Sequence, residues 1–446
     1  MSNTLVPQGP RGHFLLGVMA EFNRDSLAFI ERLAHDYGDV ARARFFYIWA
    51  YFLYHPQHIE QVLTTENRNF IKPRSVRSPF FCRLVGNGLL TSEGEFWRRQ
   101  RRLAQPAFHR GRINTYGETM VAYAEEMVAS WREGETRDIH EDMTHLTMQI
   151  VTRTLFNTDV THDARHISDA LKVIVEPFAA QATLKWILDN RLPTPANRRF
   201  HEAVRQIDEF IYRIINERRA SREDYGDLLS MLLQAQDEDG AQMTDQQLRD
   251  EAMTIFLAGY ETTSLALSWA WLLLAQNAEA ETKLWQELEE TLGGRAPQMA
   301  DMPRLRYTEM IARETMRLYP PAYIVGREAA TACEIGGYSI PAGTQVFMPT
   351  WVVHRDARFF ESPEEFRPER WTPAFVEQLP RYAYFPFGGG PRVCIGNNFA
   401  MMEIILLLAT IAQKFRLRLA PEHEVTLKPA MSLRPAQGIK VRLEKR

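Results

Sequence analysis

The chain has 446 residues, of which 45% are hydrophobic and 24% charged, with a formal net charge of −3. It is long and apolar enough for a large buried core, which excludes general disorder, and it lacks the strongly basic balance of a bulk nucleic-acid binder. Three cysteines, Cys82, Cys333 and Cys394, are too few for a disulfide framework and suit a reducing compartment. No run of about 18 apolar residues is present. The first seventeen residues lack the basic start and the long apolar stretch of a signal peptide. The expectation is a soluble, cytoplasmic protein with no membrane anchor, built as one domain over residues 1–446.

Along the chain, Pro7, Gly9, Pro10 and Gly12 predict an irregular start. Residues 39–54 are rich in aromatic and β-branched side chains with partial alternation, which predicts a short hairpin. From about 94 to 292 the pattern is mostly helical, with Pro-bearing breaks near Pro177 and Pro193–Pro195. Early in it, Trp97 and Arg101 share one helical face, and Arg98 and Arg102 share a neighbouring one with Arg99 beside them. Taken alone, that is a solvated basic face.

The longest periodic stretch runs from about Thr244 to Gln276, with Thr244 and Gln247 placed as a capping box. At about 1.5 Å per residue it extends about 50 Å. Ala258, Gly259, Tyr260, Glu261, Thr262 and Thr263 lie mid-helix between Ile255–Leu257 and Leu265–Leu267. An acid, hydroxyls and a glycine inside an apolar helix all cost stability. A local widening beside a cofactor would explain them together.

Glu314 and Arg317 form an i,i+3 pair of a common kind, worth about 0.3 kcal/mol on a surface. Residues 323–349 carry short strand signals, with turns at Gly336–Gly337 and Pro341–Gly343. The segment from Phe366 to Trp371 contains Arg370. The whole predicts a mainly α protein with a small β part, about 39–72 and 323–349.

The most informative stretch is the Gly-rich loop at 386–396, with one cysteine, Cys394, just before an apolar helix at about 397–414. Helix N-terminal N–H groups and Arg392 favour a thiolate there, and the glycines let the backbone fold close around the sulfur. That suits a single thiolate metal ligand. A buried structural cysteine is the plainer reading. Zinc lacks further ligands at suitable spacing, and a nucleophile lacks an identifiable histidine. His109 and His354 are isolated and expected to be structural or exposed. Met401, Met402, residues 404–409, Trp269 and Trp271 are expected in the core.

Phe387, Gly390, Arg392, Cys394 and Gly396 fit, at every fixed position, the haem-binding signature F-x-x-G-x-R-x-C-x-G of the cytochrome P450 family. Three further motifs occur in family order, so the chain resembles that family over roughly residues 10–440. The resemblance implies the P450 fold, with the long helix over the haem and the cysteine loop beneath it. It implies haem b with Cys394 as axial thiolate, held also by Phe387, Gly396 and Ala258. Trp97, Arg101, Arg327 and Arg392 would meet the propionates, with Lys72 a weaker candidate. Glu261 and Thr262 resemble the family's acid–alcohol pair, with Glu where some members have Asp. Thr262 would hydrogen-bond the oxygen being activated, and Glu261 would relay protons. Glu314, Arg317 and Arg370 would form a structural triad behind the haem.

The implied activity is insertion of one oxygen atom of O2 into a C–H bond of a lipophilic substrate such as a fatty acid, terpenoid or steroid. Leu90, Ala258, Ala322, Ile324 and Leu433 would line the pocket, with Phe80, Phe81, Leu84 and Tyr323 as further walls. The chain is too short for a fused flavin reductase. Electrons would come from a separate ferredoxin, flavodoxin or reductase docking near Arg98, Arg99 and Arg102. A peroxide-driven or non-oxygenase haem-thiolate enzyme is the alternative, and a haem-binding sensor without turnover is a third class.

Overall fold

The computed structural model describes residues 5–158, 167, 169–171, 173–174, 194–221, 223–236, 240 and 242–446. The helices that position the site are α1 (Pro79–Val85), α2 (Gly94–Ala104), α3 (Ile139–Phe156), α4 (Pro195–Ser221), α5 (Asp245–Gln276), α6 (Arg306–Leu318) and α7 (Asn397–Ala412). Of the expected proline breaks, Pro177 and Pro193 lie outside the described residues. Pro195 opens α4, where its missing N–H costs nothing.

Helix α5 is the axis of the molecule. Thr244 Oγ1 accepts from the Gln247 N–H (3.2 Å) and Gln247 Oε1 accepts from the Thr244 N–H (2.8 Å), which closes the capping box. The helix then packs against α3, α4, α6 and α7. From Leu248 to Leu274 every residue is buried except Ala258, Gly259 and Thr262. Gly259 is required by close packing: a Cβ there would lie 3.0 Å from Val151 Cγ2 of α3. The helix runs through this region without interruption, so the expected local widening is not needed to explain the glycine.

The hairpin expected at 39–54 is β1 (Val40–Phe45) and β2 (Ile48–Leu53), paired antiparallel with Ala43 opposite Ala50. It joins β3 (Phe70–Ile71), β5 (Val325–Ala329) and β8 (Gln345–Met348) in a five-stranded mixed sheet of order β1-β2-β8-β5-β3. The two sequence-distant β regions are therefore one sheet, and β5 carries Arg327 to the site. Between β5 and β8, β6 (Cys333–Ile335) and β7 (Tyr338–Ile340) form a hairpin turned by Gly336 and Gly337.

Strands are not confined to those two regions, which corrects the expectation of a helical remainder. Thr136–Asp138 (β4) pairs with β12 (Lys440–Lys445), which pairs with β9 (Phe415–Leu419). Leu427–Pro429 (β10) and Leu433–Pro435 (β11) make a further hairpin. The reason is visible in β9 and β12, where apolar residues point to the core and charged ones outward in alternation. Among the described residues, no helix is long and apolar enough to cross a membrane.

Candidate active site

The cysteine loop is shaped by its backbone. Gly390 has φ +64°, and a Cβ on it would lie 1.7 Å from the Leu63 carbonyl oxygen. The Gly390 N–H donates to Tyr382 Oη (3.1 Å), which also contacts Thr64 Oγ1 (2.5 Å). The Cys394 N–H closes the loop on the Phe387 carbonyl (3.0 Å). Gly396 is the N-cap of α7 and aims its N–H at the Cys394 sulfur. Phe387 and Gly396 are half-buried, whereas the Cys394 side chain is exposed. Burial of its surroundings pushes the thiol up, opposed by the Gly396 N–H and the Arg101 guanidinium. A bound metal cation would outweigh these effects and hold the sulfur as thiolate. Among the described residues, no three His, Cys, Asp or Glu side chains are arranged to hold a metal ion. A prosthetic group that brings its own metal ligands is compatible with a lone cysteine of this kind.

Around this loop the chain gathers positive charge. Arg101 of α2 donates to the Val393 carbonyl (3.0 Å). Arg392 lies 4.0 Å over the Trp97 ring, donates to the Ser92 carbonyl (2.8 Å) and pairs with Glu93. The buried Arg327 donates to the Gly326 carbonyl (2.8 Å). Burial, then Arg392, pushes its guanidinium down to about 10. Burial, then Arg327 and Arg392, holds the Lys72 ammonium well below its ordinary value. Among the described residues, Lys72, Arg327 and Arg392 are all influenced by the same carboxylate, Glu93. Such a surplus of buried positive charge fits a group carrying two carboxylates. The residues present suit an iron porphyrin with propionate arms.

On α5, Ala258 and Thr262 are exposed one turn apart, which puts them on one face. Thr262 Oγ1 donates to the Ala258 carbonyl (2.7 Å). Glu261 points elsewhere. It is buried, and its Oε1 accepts from Arg434 Nε (3.1 Å) and is bound by Arg434 Nη2 and Ser432 Oγ. It borders a cleft of about 280 Å³ with Asp138, His140, Thr144, Ser264 and Arg434. In that cleft burial pushes the His140 imidazole down to about 4, and its Nδ1 meets Ser268 Oγ (3.1 Å). The adjacent acid and alcohol therefore serve two different sides of one helix.

The pocket residues divide. Leu90, Ala322 and Ile324 keep partial exposure. Leu433 does not line a pocket, since it is fully buried, with its N–H on the Pro321 carbonyl and its carbonyl taking the Trp269 Nε1–H. Phe80, Phe81, Leu84 and Tyr323 are also buried; Phe80 stacks on Phe200 at 4.4 Å, and Tyr323 donates to the Ala430 carbonyl (3.0 Å). Burial of this kind is set by tertiary contacts that local pattern does not carry.

The remaining candidates have defined places. Glu314, Arg317 and Arg370 come together, with Glu314 accepting from Arg317 Nε and Arg370 Nε, both at 2.9 Å. Arg98 and Arg102 are exposed and Arg99 is half-buried, and Arg98 already pairs with Glu95. His354 is fully buried, its Nε2 accepting from the Phe385 N–H (2.9 Å), and burial pushes it down to about 3. His109 is exposed and precedes a helix at Arg110–Ala129. Trp269, Trp271, Met402 and residues 404–409 are buried, and Met401 is half-buried.

One acid was missed. Glu403 of α7 is fully buried, and neither carboxyl oxygen has a hydrogen bond of acceptable geometry. Burial holds its carboxyl well above 4.5, with Thr263 of α5 acting weakly the other way. A lone carboxylate in the apolar run 399–412 was the available signal. Because the folded value lies above the unfolded one, its stabilisation is present at low pH and fades as pH rises. Glu403→Gln should therefore flatten the fall in melting temperature as pH rises above about 4.5. Parallel curves for the two proteins in calorimetry would contradict this.

The cytochrome P450 family model matches residues 7–443. Cyclooctatin synthase of Streptomyces melanosporofaciens is 40% identical over 441 residues, covering 97% of this chain and 93% of that protein. Cyclooctat-9-en-7-ol 5-monooxygenase of the same organism is 36% identical, covering 91% and 88%. Pentalenene oxygenase of Streptomyces avermitilis is 34% identical, covering 92% and 91%. Among solved structures, retinoic acid bound cyanobacterial CYP120A1 matches with a TM-score of 0.89 over 100% of both chains at 23% identity, a likeness of fold. The family carries haem ligated by a cysteine thiolate and uses O2. With the family model matching nearly the whole chain and relatives above 30% identity along most of it, this chain belongs to the cytochrome P450 family and is an oxidoreductase of the monooxygenase kind.

Proposed function

We propose that the chain hydroxylates a lipophilic terpenoid, using haem b held by Cys394 and electrons from a separate redox partner. The observation that carries this is the convergence of Arg101, Arg392, Arg327 and Lys72 on the exposed Cys394 loop. It offers a thiolate and a dianion site side by side. When bound, the haem supplies oxygen activation, which an electron-rich thiolate ligand favours. Among fatty acids, terpenoids and steroids, the relatives named for pentalenene and cyclooctat-9-en-7-ol favour a terpenoid. The half-exposed Leu90, Ala322 and Ile324 provide an apolar wall for it.

The chain's own residues then have separable tasks. Arg392, Arg327 and Arg101, with Trp97 and Lys72, would hold the haem carboxylates. Thr262 has its rotamer fixed by the Ala258 carbonyl, so its lone pairs are held toward the exposed face of α5. There its hydroxyl would order a proton donor beside the haem when the haem is bound. Glu261 borders the cleft of His140 and Arg434, where it would form the solvent-side end of a proton path. Ser432 and Arg434 both hold Oε1 and fix the Glu261 side chain at that cleft. Helix α2 presents Arg101 to the loop and Arg98 and Arg102 to the outside, so a partner docked on Arg98, Arg99 and Arg102 would sit close to the cofactor.

The test uses the haem-loaded protein with a reductase system and a set of terpenoids, fatty acids and steroids. A spin-state shift and oxidised product with terpenoids are expected. Shifts confined to fatty acids or steroids would overturn the substrate assignment. Thr262→Ala should lower product formed per reductant consumed by at least about tenfold, with the missing electrons recovered as peroxide. Unchanged coupling would remove Thr262 from proton delivery.

A further inference from the structure

We propose that Asp250 and Glu251 are positioning residues that clamp the segment 86–91 onto α5 and thereby set the shape of the pocket wall at Leu89 and Leu90. This rests on the haem-site reading above. The two acids stand on the buried first half of α5, 5% and 1% exposed. Asp250 Oδ2 accepts from the Asn87 N–H (2.8 Å), and Glu251 Oε2 accepts from the Leu89 N–H (3.0 Å). Thr254, one turn on, donates to the Val85 carbonyl (3.4 Å). The segment has no helix or strand of its own to satisfy these backbone groups, so the side chains of α5 do it.

The fit is close. Gly86 has φ +63°, and a Cβ on it would lie 1.9 Å from Asp250 Oδ1. A Cβ on Gly88 would lie 2.5 Å from Thr254 Oγ1 and 2.7 Å from the Asp250 carbonyl oxygen. A side chain at Gly88 would press on the helix backbone, and one at Gly86 would displace the Asp250 carboxyl that holds the segment. The clamp is itself braced, because Asp250 Oδ1 accepts from Gln246 Nε2 (2.8 Å) and Arg249 Nη1 (3.0 Å). Arg249 also donates to the Leu84 carbonyl (2.8 Å) and pairs with Asp208 of α4.

The clamp's location gives it consequence. Glu251 is seven residues before Ala258, two turns on the same helical face, so it lies about 10 Å along the axis from the exposed Ala258–Thr262 patch. Leu89 and Leu90, immediately beyond the Asn87 anchor, are half-buried and face neither solvent nor core completely. Fixing the Leu89 N–H therefore fixes where these two side chains stand relative to that patch. Glu251 Oε1 has no hydrogen-bond partner, and burial pushes the carboxyl up to about 8. At neutral pH it is chiefly a neutral acceptor, which glutamine can imitate.

The experiment uses haem-loaded protein, with hydrogen exchange of residues 86–91 and absorption titrations with imidazole and 4-phenylimidazole. Glu251→Ala and Asp250→Ala should speed exchange in 86–91 by at least about tenfold. They should also change the affinity ratio of the large to the small azole by at least about fivefold. Glu251→Gln should keep both readings within about threefold of the parent. Glu251→Leu fills the same space without an acceptor. It serves as the second loss variant if the alanine variant does not fold, and should behave like it. Unchanged exchange in the variants lacking an acceptor overturns the clamp. Faster exchange with an unchanged azole ratio overturns its role in pocket shape. Failure of the haem-site reading is separate, since it would appear as absent azole spectra in the parent while exchange still responds.

Discussion

Cys394→Ala is expected to abolish the strongly red-shifted Soret band of the reduced carbon monoxide complex and to bring substrate oxidation below detection. Neither other thiol is placed to take over: Cys82 and Cys333 are half-buried elsewhere in the fold, and burial pushes both up. The effect should be chemical and not structural. The loop is closed by backbone and tyrosine contacts, the Cys394 N–H to the Phe387 carbonyl and the Gly390 N–H to Tyr382. The substitution keeps those contacts. Far-UV circular dichroism should therefore match the parent while the thiolate signature is gone. Cys394→Ser should give the same spectral loss, because an alcohol lacks the electron push of a thiolate. A red-shifted band surviving in either variant would mean that the iron is ligated elsewhere.

What was legible in the sequence was whatever physics keeps local. The capping box at Thr244 and Gln247 and the hairpin expected at 39–54 depend on residues a few positions apart, and both form; the backbone of the cysteine loop is as local. The cation cluster is different in kind. Lys72, Arg101, Arg327 and Arg392 come from β3's end, α2, β5 and the loop, and only family resemblance could bring them onto one site. Resemblance also had a limit. It marked Glu261 and Thr262 as a pair, but successive helical residues point about 100° apart, and the partner of Glu261, Arg434, lies on a strand that had gone unread. The strands of 415–445 were within reach, since Phe415–Leu419 alternates apolar and charged residues. Their shortness hid them. Leu433 was misplaced for a related reason: one residue of strand register decides whether a side chain faces the core or a pocket.

The second large effect should appear in stability. Glu314 is fully buried and accepts five hydrogen bonds. Its Oε1 receives Arg317 Nη2 (2.8 Å), Arg370 Nε (2.9 Å) and the Arg367 N–H (2.9 Å). Its Oε2 receives Arg317 Nε (2.9 Å) and Trp371 Nε1 (2.9 Å). Arg317 is equally buried and spends its other donors on the carbonyls of His354, Pro363 and Glu365. The network thus ties α6 to the 354–371 segment just ahead of the cysteine loop. Removing its anion leaves two buried guanidinium groups without a counter-charge. Such a loss costs about 3–5 kcal/mol, a large share of a typical folding free energy. Glu314→Ala should accordingly lower the denaturant midpoint sharply and yield protein that retains little haem. Glu314→Gln should rescue little, because its amide nitrogen would point at donors that need an acceptor. Arg98→Ala, which breaks only the exposed pair with Glu95, should leave the midpoint unchanged. If Glu314→Ala unfolded at the same denaturant concentration as Arg98→Ala, the triad would be no stronger than a surface ion pair. The fold behind the cysteine loop would then have to be held by apolar packing alone.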